Sequence, residues 1–324
     1  MNEPGLVDRL SSPGHLLRRA QQVHTEAWSR IVAEVTGPQY AVLVTVAGWE
    51  GLDQKRAGEL ASLDKSTAAA IVTRLVSGGW LERVRDPGDR RRRLLELTAK
   101  GRRELPSLTI GARRVQDELL SPLPEQERDD FLDVLGRVAR LDESDIGEQR
   151  IEERALVMAR TPGYLIRRAQ QLHTAYWNAQ VRDVTGPQYA VLAAVLAAGV
   201  ATQAEIGSWA SLDSSSTREI VGRLIDKGWL EPVENAKDRR SRPVRVTAPA
   251  TTAVRLLREP VRDVQRHVLG PLAPGDQDRF IAWMRLVASV DTPTAALKAA
   301  TSTAGPSDAT PDIAPQASLT NNPS

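Results

Sequence analysis

The sequence lacks the features on which many chemical sites depend. It contains no cysteine, which excludes disulfide bonds and thiolate metal sites. Its four histidines have neither the His-x₃-His spacing nor the flanking carboxylates typical of metal ligands. There is also no glycine-rich phosphate loop, nucleophile elbow or other catalytic constellation. The sequence therefore predicts no enzyme activity, no bound metal and no cofactor.

Long hydrophobic runs and a strong charge of either sign are absent as well. No apolar stretch approaches the roughly 20 residues that span a bilayer, and the N-terminal MNEPGLVDRL has no signal-peptide core, so we predict a cytoplasmic protein. The net charge is only +2 over 324 residues. Affinity for nucleic acid would therefore have to come from local arginine clusters, because these decide the field that a phosphate backbone meets.

The sequence does contain an internal repeat, in which one unit occurs twice. PGHLLRRAQQVHTEAW at Pro13 returns as PGYLIRRAQQLHTAYW at Pro162, an offset of 149 positions (162 − 13), and TGPQYAVL occurs at Thr36 and again, at the same offset, at Thr185. Of the 31 positions in 13–43, 21 are identical to their counterparts. The chain is therefore interpreted as a tandem duplication, without gaps, of a unit of about 130 residues.

The repeat and the composition together predict five segments. These are a mobile N-terminus at 1–11, a first unit at 12–141, a helical connector at 142–160, a second unit at 161–291 and a tail at 292–324. The tail is rich in Ala, Thr, Pro and Ser and has almost no large apolar residue. Because it cannot offset its ordering entropy by burial, we predict that it is disordered.

Within each unit the pattern predicts several helices followed by a small hairpin. Asp64 can accept from the free N–H groups at the start of a helix, an apolar stripe at helical spacing follows, and Gly78-Gly79 can end it. Two strands, at 80–84 and 94–98, would enclose Asp-Pro-Gly-Asp and four consecutive arginines. This order predicts a mainly α fold with small β wings, the winged helix-turn-helix.

The unit resembles the MarR family of bacterial winged-helix transcriptional regulators. The resemblance rests on TGPQYAVL, on LASLDKSTAAAIVTRLVSGGWLERV, and on an Asp-x-Arg wing followed by L-x-L-T, and it covers 13–141 and 162–290. The second copy keeps Asp238, Arg240, Val246 and Thr247, but Pro243 replaces Leu94 and should disturb strand pairing. The family usually acts as homodimers with two recognition helices in successive major grooves, which implies here an intramolecular pseudo-dimer formed by a monomeric chain.

The resemblance also implies which residues contact DNA. The predicted contacts lie at the start of each recognition helix and in each wing: Lys65, Ser66, Thr67, Ala69, Ala70, Thr73, Arg74, Arg90, Arg91, Arg92 and Arg93 in the first copy, and Ser214, Ser215, Ser216, Thr217, Arg218, Arg223, Arg239, Arg240 and Arg242 in the second. Asp89 and Asp238 are each predicted to orient the wing by holding the second following arginine in a bidentate pair. The alternative is that the arginine runs are solvated turns without a ligand.

An effector pocket is implied by the same resemblance, because members of the family bind small, often aromatic and anionic effectors between these helices and the winged domain. The candidate effector-binding residues are His24, Trp28 and Tyr40 with their counterparts His173, Trp177 and Tyr189. Their alternative role is that of core residues with a satisfied polar tip.

We therefore predict a double-stranded DNA-binding transcriptional regulator, a small-molecule-responsive repressor. The apolar positions of the recognition helix persist between the copies, whereas Lys65, Ala69 and Ala70 become Ser214, Arg218 and Glu219. Unlike helices predict an asymmetric, pseudo-palindromic operator. The alternative is a sensor or anti-repressor that does not bind DNA and sequesters a partner through its helical bundle.

Overall fold

The computed structural model of the chain describes residues 12–141, 160–234 and 243–289. The predicted N-terminal segment, nearly all of the connector and the tail lie outside these residues. The first repeat contains α1 Pro13–Ile31, α2 Gly37–Gly48, α3 Gln54–Leu60, α4 Lys65–Ser77, β1 Leu81–Arg85, β2 Arg93–Leu97, α5 Ala99–Leu120 and α6 Arg128–Val138. The second contains α7 Pro162–Gln180, α8 Gly186–Ala198, α9 Gln203–Ala210, α10 Ser214–Asp226, β3 Leu230–Pro232, β4 Val244–Val246, α11 Ala248–Leu256, α12 Arg258–Leu269 and α13 Pro274–Val287.

The fold class expected from the sequence is confirmed, and its local causes are visible at the helix ends. Thr36 and Gln39 form a reciprocal capping box at the start of α2, and Thr185 and Gln188 repeat it at α8. Gly79, just after α4, adopts a φ of 70°, a left-handed conformation that glycine reaches without strain. Each repeat is therefore mostly helical with one two-stranded antiparallel sheet.

The strand ladders of the two wings differ in length because of two prolines in the second wing. β1 and β2 pair over five positions, from Leu81 opposite Leu97 to Arg85 opposite Arg93. β3 and β4 pair over three. Proline has no backbone N–H to donate to a ladder, and both Pro232 and Pro243 lie where this ladder stops. The predicted disturbance at Pro243 is therefore confirmed.

Proline also divides the long helix of the second repeat. In the first repeat, α5 runs unbroken from Ala99 to Leu120. In the second repeat the corresponding stretch separates into α11 and α12 at Leu257. Pro260 falls in the first turn of α12, the part of a helix where a missing N–H leaves no hydrogen bond unmade.

The terminal helices of the two repeats pack together. α1 lies against α7, α13 lies against α1, and α6 lies against both α7 and α13. One continuous hydrophobic core contains Leu16, Leu17 and Phe131 of the first repeat together with Leu165 and Phe280 of the second. The seam, as we call the contact between α1 and α7 with their neighbours, is thus part of the core. No helix of the described part of the chain is both long and apolar enough to cross a membrane.

Candidate nucleic-acid interface and effector site

The candidate recognition helix of the first repeat, α4, begins at a strongly bound cap. The Asp64 carboxylate accepts hydrogen bonds from the backbone N–H groups of Ser66 and Thr67, both at 3.0 Å, and from their hydroxyls, both at 2.6 Å. These four bonds hold the pKa of Asp64 well below its usual range. Because both hydroxyl protons point to Asp64, the two side chains offer lone pairs to their surroundings.

The sides of α4 divide as the sequence predicted. Ala68, Ile71, Val72 and Leu75 are buried against the repeat's own core. The predicted contact residues are on the other side, with Ala69 half-buried and the rest exposed: Lys65, Ser66, Thr67, Ala70, Thr73 and Arg74. Within the described ranges neither Lys65 nor Arg74 forms an ion pair, so both cations are available to an anion.

The equivalent helix of the second repeat, α10, has a different exposed side. Ser214, Ser215 and Arg218 are exposed and Ser216 is half-buried. Asp213 caps the helix by accepting from the Ser216 N–H at 2.8 Å and its hydroxyl at 2.6 Å. A salt bridge of 2.5 Å joins Arg223 to Glu219, one turn earlier, so this guanidinium already has an acidic neighbour.

Thr217 was expected among the DNA contacts, and this prediction was wrong. Its side chain is buried, with 1% relative exposure, and its hydroxyl donates to the Asp213 carbonyl at 2.8 Å. The residue faces Gly207 of α9, where an added Cβ would lie 2.9 Å from the Thr217 hydroxyl. Its counterpart Ala68 faces Gly58 in the same way. The position therefore joins two helices and cannot touch DNA.

The first wing presents fewer arginines than the sequence suggested. Arg90, Arg91 and Arg93 are exposed, and no ion pair is found for them among the residues that the structure describes. Arg92 instead turns toward the base of the wing, where its guanidinium contacts Asp53 at 3.3 Å and Asp86 at 3.4 Å. It also donates to the Gly51 carbonyl at 3.1 Å.

Asp89 acts on this wing in a way that differs from the prediction. Its carboxylate accepts from the backbone N–H of Arg91 at 2.9 Å, and its carbonyl accepts from the Arg92 N–H at 2.9 Å. In the described region no ion pair joins Asp89 to the Arg91 guanidinium. Asp89 therefore fixes the backbone of the turn, and the bidentate pair predicted for it was wrong. Asp238, Arg239, Arg240 and Arg242 of the second wing lie outside the described residues.

The first effector candidate is a chain of aromatic side chains. His24, Trp28 and Tyr40 follow one another with ring centroids 5.7 and 5.3 Å apart. The Trp28 indole donates to the Val35 carbonyl at 2.7 Å, and the Tyr40 hydroxyl donates to Thr109 at 3.0 Å. Burial raises the pKa of Tyr40 to about 12, so this phenol is neutral. Trp28 and Tyr40 are thus buried with satisfied polar ends.

The second candidate repeats this arrangement with one looser member. His173, Trp177 and Tyr189 are spaced by 5.9 and 5.6 Å, and the Trp177 indole donates to Val184 at 2.7 Å. Tyr189 is only half-buried, whereas Tyr40 is 3% exposed. The two copies are therefore similar in ring positions and different in access.

The structure brings the two histidines to the seam. An added Cβ on Gly163 would lie 2.2 Å from the His24 Nε2, and one on Gly14 would lie 2.1 Å from the His173 Nε2. Gln116 links one side, because it lies 3.4 Å from His24 and accepts from the Gly163 N–H at 2.9 Å. Burial lowers the pKa of both histidines to about 4, so both imidazoles are neutral at pH 7.

Two half-buried arginines at the seam were missed by the sequence interpretation. Arg18 donates to the Ala210 carbonyl at 2.7 Å and Arg167 donates to the Ala61 carbonyl at 2.8 Å, in each case across the seam. Among the residues that the structure describes, the Nε of each has no hydrogen-bond partner, and neither does the His24 Nδ1. Burial lowers the pKa of both guanidinium groups to about 10, which leaves them charged. No local sequence pattern marks them, because the partner of each is a backbone carbonyl of the other repeat.

Known proteins match the chain one repeat at a time. Residues 33–92 and 182–241 each match the MarR family. The transcriptional regulator HosA of Escherichia coli O111:H- is 33% identical over 124 residues, which cover 38% of this chain and 92% of HosA. The HTH-type transcriptional repressor NicR of Pseudomonas putida is 29% identical over 133 residues, which cover 40% of this chain and 84% of NicR. A solved structure is also similar: the crystal structure of the PcaV transcriptional regulator from Streptomyces coelicolor in complex with its natural ligand. Its sequence is 44% identical to the matched part of this chain, and the TM-score is 0.39. The match covers 43% of this chain and 97% of the PcaV chain.

Proposed function

Because this chain belongs to the MarR family of transcriptional regulators, we propose that it represses transcription by binding one operator with both winged helices as a single-chain pseudo-dimer. The observation that carries the proposal is the exposed side of α4, which presents the hydroxyls of Ser66 and Thr67 together with Lys65 and Arg74, two cations without an ion pair among the described residues. A helix of this kind fits the major groove, with its first turn at the base edges. Packing of the terminal helices would hold the second recognition helix at a fixed distance from the first.

The wing would add contacts beside the groove. Arg90, Arg91 and Arg93 are exposed on a turn that Asp89 stabilises, and arginines so placed reach the minor groove or its phosphates. Phosphate contacts supply affinity and orientation, whereas base contacts supply specificity. The wing is therefore assigned to affinity and the helix to sequence.

The operator would have unlike half-sites. α4 presents small residues at Ala69 and Ala70, whereas α10 presents Arg218 and Glu219 at the same positions. A carboxylate on a recognition helix accepts from the amino group of cytosine and repels phosphate, so the two helices would prefer different bases.

Three versions of the operator would test the DNA-binding proposal. After a footprint on the DNA upstream of the gene identifies the site, we would measure affinity for that site and for two palindromes built from its left and right halves. We expect the natural site to bind about 10-fold or more tightly than either palindrome, since one mismatched base pair alone costs about 1–3 kcal/mol. Equal affinity for all three would contradict the asymmetric operator.

The salt dependence of the same binding separates the two functional hypotheses. Phosphate contacts release counterions, so log K should fall linearly with log salt, by about 0.9 for each contact. Binding that does not weaken with salt, or no binding to any duplex, would favour a sensor or anti-repressor that acts through its helical bundle.

We further propose that the effector is a small aromatic carboxylate that binds at the seam. The Nε of Arg18 and of Arg167, unpartnered among the described residues, are donors for a carboxylate. Arg167 lies near His24, the first ring of the chain that continues to Trp28 and Tyr40, and Arg18 lies near His173. The same arginines hold the carbonyls at the ends of α9 and α3, immediately before the recognition helices. A ligand that engages them would move these ends, and a preference for the moved state would weaken DNA binding.

Substituted benzoates are suitable probes for this second proposal. We expect some member of a benzoate panel to release the wild-type protein from its operator, and Arg18→Gln with Arg167→Gln to abolish that release. Arg19→Gln is the control, because Arg19 lies next to Arg18 and forms a half-exposed salt bridge with Glu26. Release that survives in the double variant would contradict the assignment of the two arginines.

A further inference from the structure

The contact between the repeats has a centre at which the two halves carry the same residue and a rim at which their residues differ. Phe131 and Phe280 occupy equivalent positions, and both are completely buried. Around them α6 packs against α13. At the edge of this surface, three groups of contacts join residues of the two halves whose counterparts in the other repeat are chemically different.

The first is an ion pair between equivalent positions. Asp130 and Arg279 are 149 residues apart and therefore correspond, and they contact each other at 2.8 Å between the Asp130 Oδ2 and an Arg279 Nη. If two copies of the same half met on this surface, the position would bring together two aspartates or two arginines. Like charges at such a distance repel each other. The pair thus favours one copy of each half.

The second is a tryptophan that only one half has. Trp283 corresponds to Val134, and it packs edge-on against Phe131 of the first repeat with ring centroids 6.0 Å apart. Its indole N–H donates to the Glu127 carboxylate, also of the first repeat. Two first halves would lack the indole, and two second halves would have to accommodate two.

The third is a group of contacts that Arg140 of the first repeat makes with two residues of the second. The Arg140 guanidinium lies 2.9 Å from the His267 Nε2, donates to the His267 carbonyl at 3.1 Å, and also faces the Tyr176 ring. The corresponding residues are Ser289, Glu118 and Ala27, so two second halves would lack the arginine, and two first halves would place Glu118 opposite Arg140 instead of the imidazole and the phenol ring. Glu118 pairs instead with Arg30 inside the first repeat.

We propose that the two halves are complementary partners that select each other, so that the rim of the first half fits the second half of the same chain and disfavours a second copy of itself. Each complex then carries one recognition helix of each kind, in a fixed pairing. The inference does not depend on DNA binding, because it is measured by stability and by the number of chains in the complex. Failure to bind DNA would leave it standing.

A charge-exchange cycle in the full chain tests the ion pair. We expect Asp130→Arg and Arg279→Asp each to lower the Tm by about 2–4 °C, and the double variant Asp130→Arg/Arg279→Asp to recover most of that loss, because an opposite pair is restored. Asp278→Arg is the control, since Asp278 is exposed on the same helix and has no ion pair among the described residues. Losses that simply add in the double variant would overturn the proposal.

A second set of measurements does not depend on this exposed pair. Trp283→Val gives the second half the residue of the first, and we expect a Tm lower by on the order of 10 °C because a buried indole and its partners are lost. Two full chains with different tags, expressed together, should not purify together, and light scattering should give the mass of one chain. Exchange of halves between the tagged chains would overturn the proposal.

Discussion

The recognition helices of the two halves share most of their buried residues and differ in most of their exposed ones. Ile71, Val72 and Leu75 of α4 correspond to Ile220, Val221 and Leu224 of α10, whereas the exposed Lys65, Ala70 and Thr73 correspond to Ser214, Glu219 and Gly222. Core positions are constrained by close packing, since even a methylene is felt there. Surface positions are not, so a duplicated unit can keep its fold while its two binding sides diverge.

The difference extends from sequence to electrostatics. In the first half, Lys65 and Arg74 form no ion pair in the described structure, and the wing has a ladder of five pairs. In the second half, Arg223 is paired with Glu219 and the ladder has three pairs. The first half is therefore the better candidate for strong phosphate contacts, and the second half for sequence discrimination. The predictions below test this comparison, from the largest expected effect to the smallest.

The largest effect should come from pH, through histidines that both halves bury. Burial lowers the pKa of His24 and His173 from 6.5 to about 4, with Arg167 and Arg18 as nearby cations, and lowers that of His15 to about 3. Between these values the unfolded chain binds more protons than the folded one. The free energy of unfolding should therefore be independent of these groups above pH 6.5 and fall as the pH drops toward 4, by up to about 3 kcal/mol per histidine.

One substitution makes the two halves alike in this respect. His15 corresponds to Tyr164, so His15→Tyr gives both halves one buried histidine each. Urea unfolding at pH 7 and pH 4.5 should show a clearly smaller pH dependence in this variant than in the wild type, and a smaller one still when His24→Gln is added. The same dependence in all three proteins would mean that carboxylates alone account for the acid sensitivity.

The next effect concerns two glycines at the seam. An added Cβ on Gly14 would lie 2.1 Å from the His173 ring, and one on Gly163 would lie 2.2 Å from the His24 ring. We expect Gly14→Ala and Gly163→Ala each to lower the free energy of unfolding by about 2–3 kcal/mol, because overpacking displaces a buried ring. Similar losses would support an equivalent seam in both halves.

A third glycine supplies the control for these variants. An added Cβ on Gly222, inside α10, would meet no heavy atom within 4 Å, and Gly222→Ala should be neutral or stabilise by about 0.5–1 kcal/mol through helix propensity. Urea unfolding of the three variants is the measurement. A large loss at only one of the two seam glycines would show that the halves differ in their packing as well as in their surfaces.

Local features of this fold could be predicted from the sequence, and contacts across the seam could not. The caps at Asp64 and Thr36 and the apolar stripe of α4 depend on residues within one or two turns, so spacing alone identifies them. Arg18 looked like an ordinary charged residue on an amphipathic helix. Its role depends on the Ala210 carbonyl of the other repeat, 192 positions away, which no local pattern reveals.

The errors at the DNA-binding elements have the same origin. Thr217 was expected among the contacts because it lies at the start of the recognition helix, but its side chain packs against Gly207, where an added Cβ would lie 2.9 Å from the Thr217 hydroxyl. Arg92 was predicted to contact DNA like the three arginines beside it, but its guanidinium forms ion pairs with Asp53 and Asp86 at the base of the wing. In both cases a contact with another part of the fold determines where the side chain points. The residue types in the local sequence do not reveal that contact.

A more modest effect should separate the two recognition helices. We expect Arg74→Ala to weaken operator binding by about 10-fold and to reduce the salt slope by about 1, since it removes an unpaired cation from the DNA side. Arg223→Ala should weaken it by less, because Arg223 already neutralises part of its charge on Glu219. Equal losses would indicate that DNA breaks the Glu219 pair. Fluorescence anisotropy at two or more salt concentrations provides both quantities.

The smallest effect should divide the arginines of the first wing into two kinds. Arg92 contacts Asp53, Asp86 and the Gly51 carbonyl, all within the protein, so Arg92→Ala should lower the free energy of unfolding slightly, by about 0.5–1 kcal/mol for such exposed pairs. Arg91 has no such contacts among the described residues, so Arg91→Ala should leave stability unchanged and weaken DNA binding a few-fold. The contrary result would be that Arg92→Ala weakens binding at high salt as strongly as Arg91→Ala does. The Arg92 side chain would then have to leave its protein partners and contact the phosphates, so the DNA-binding surface of the wing would form only on DNA.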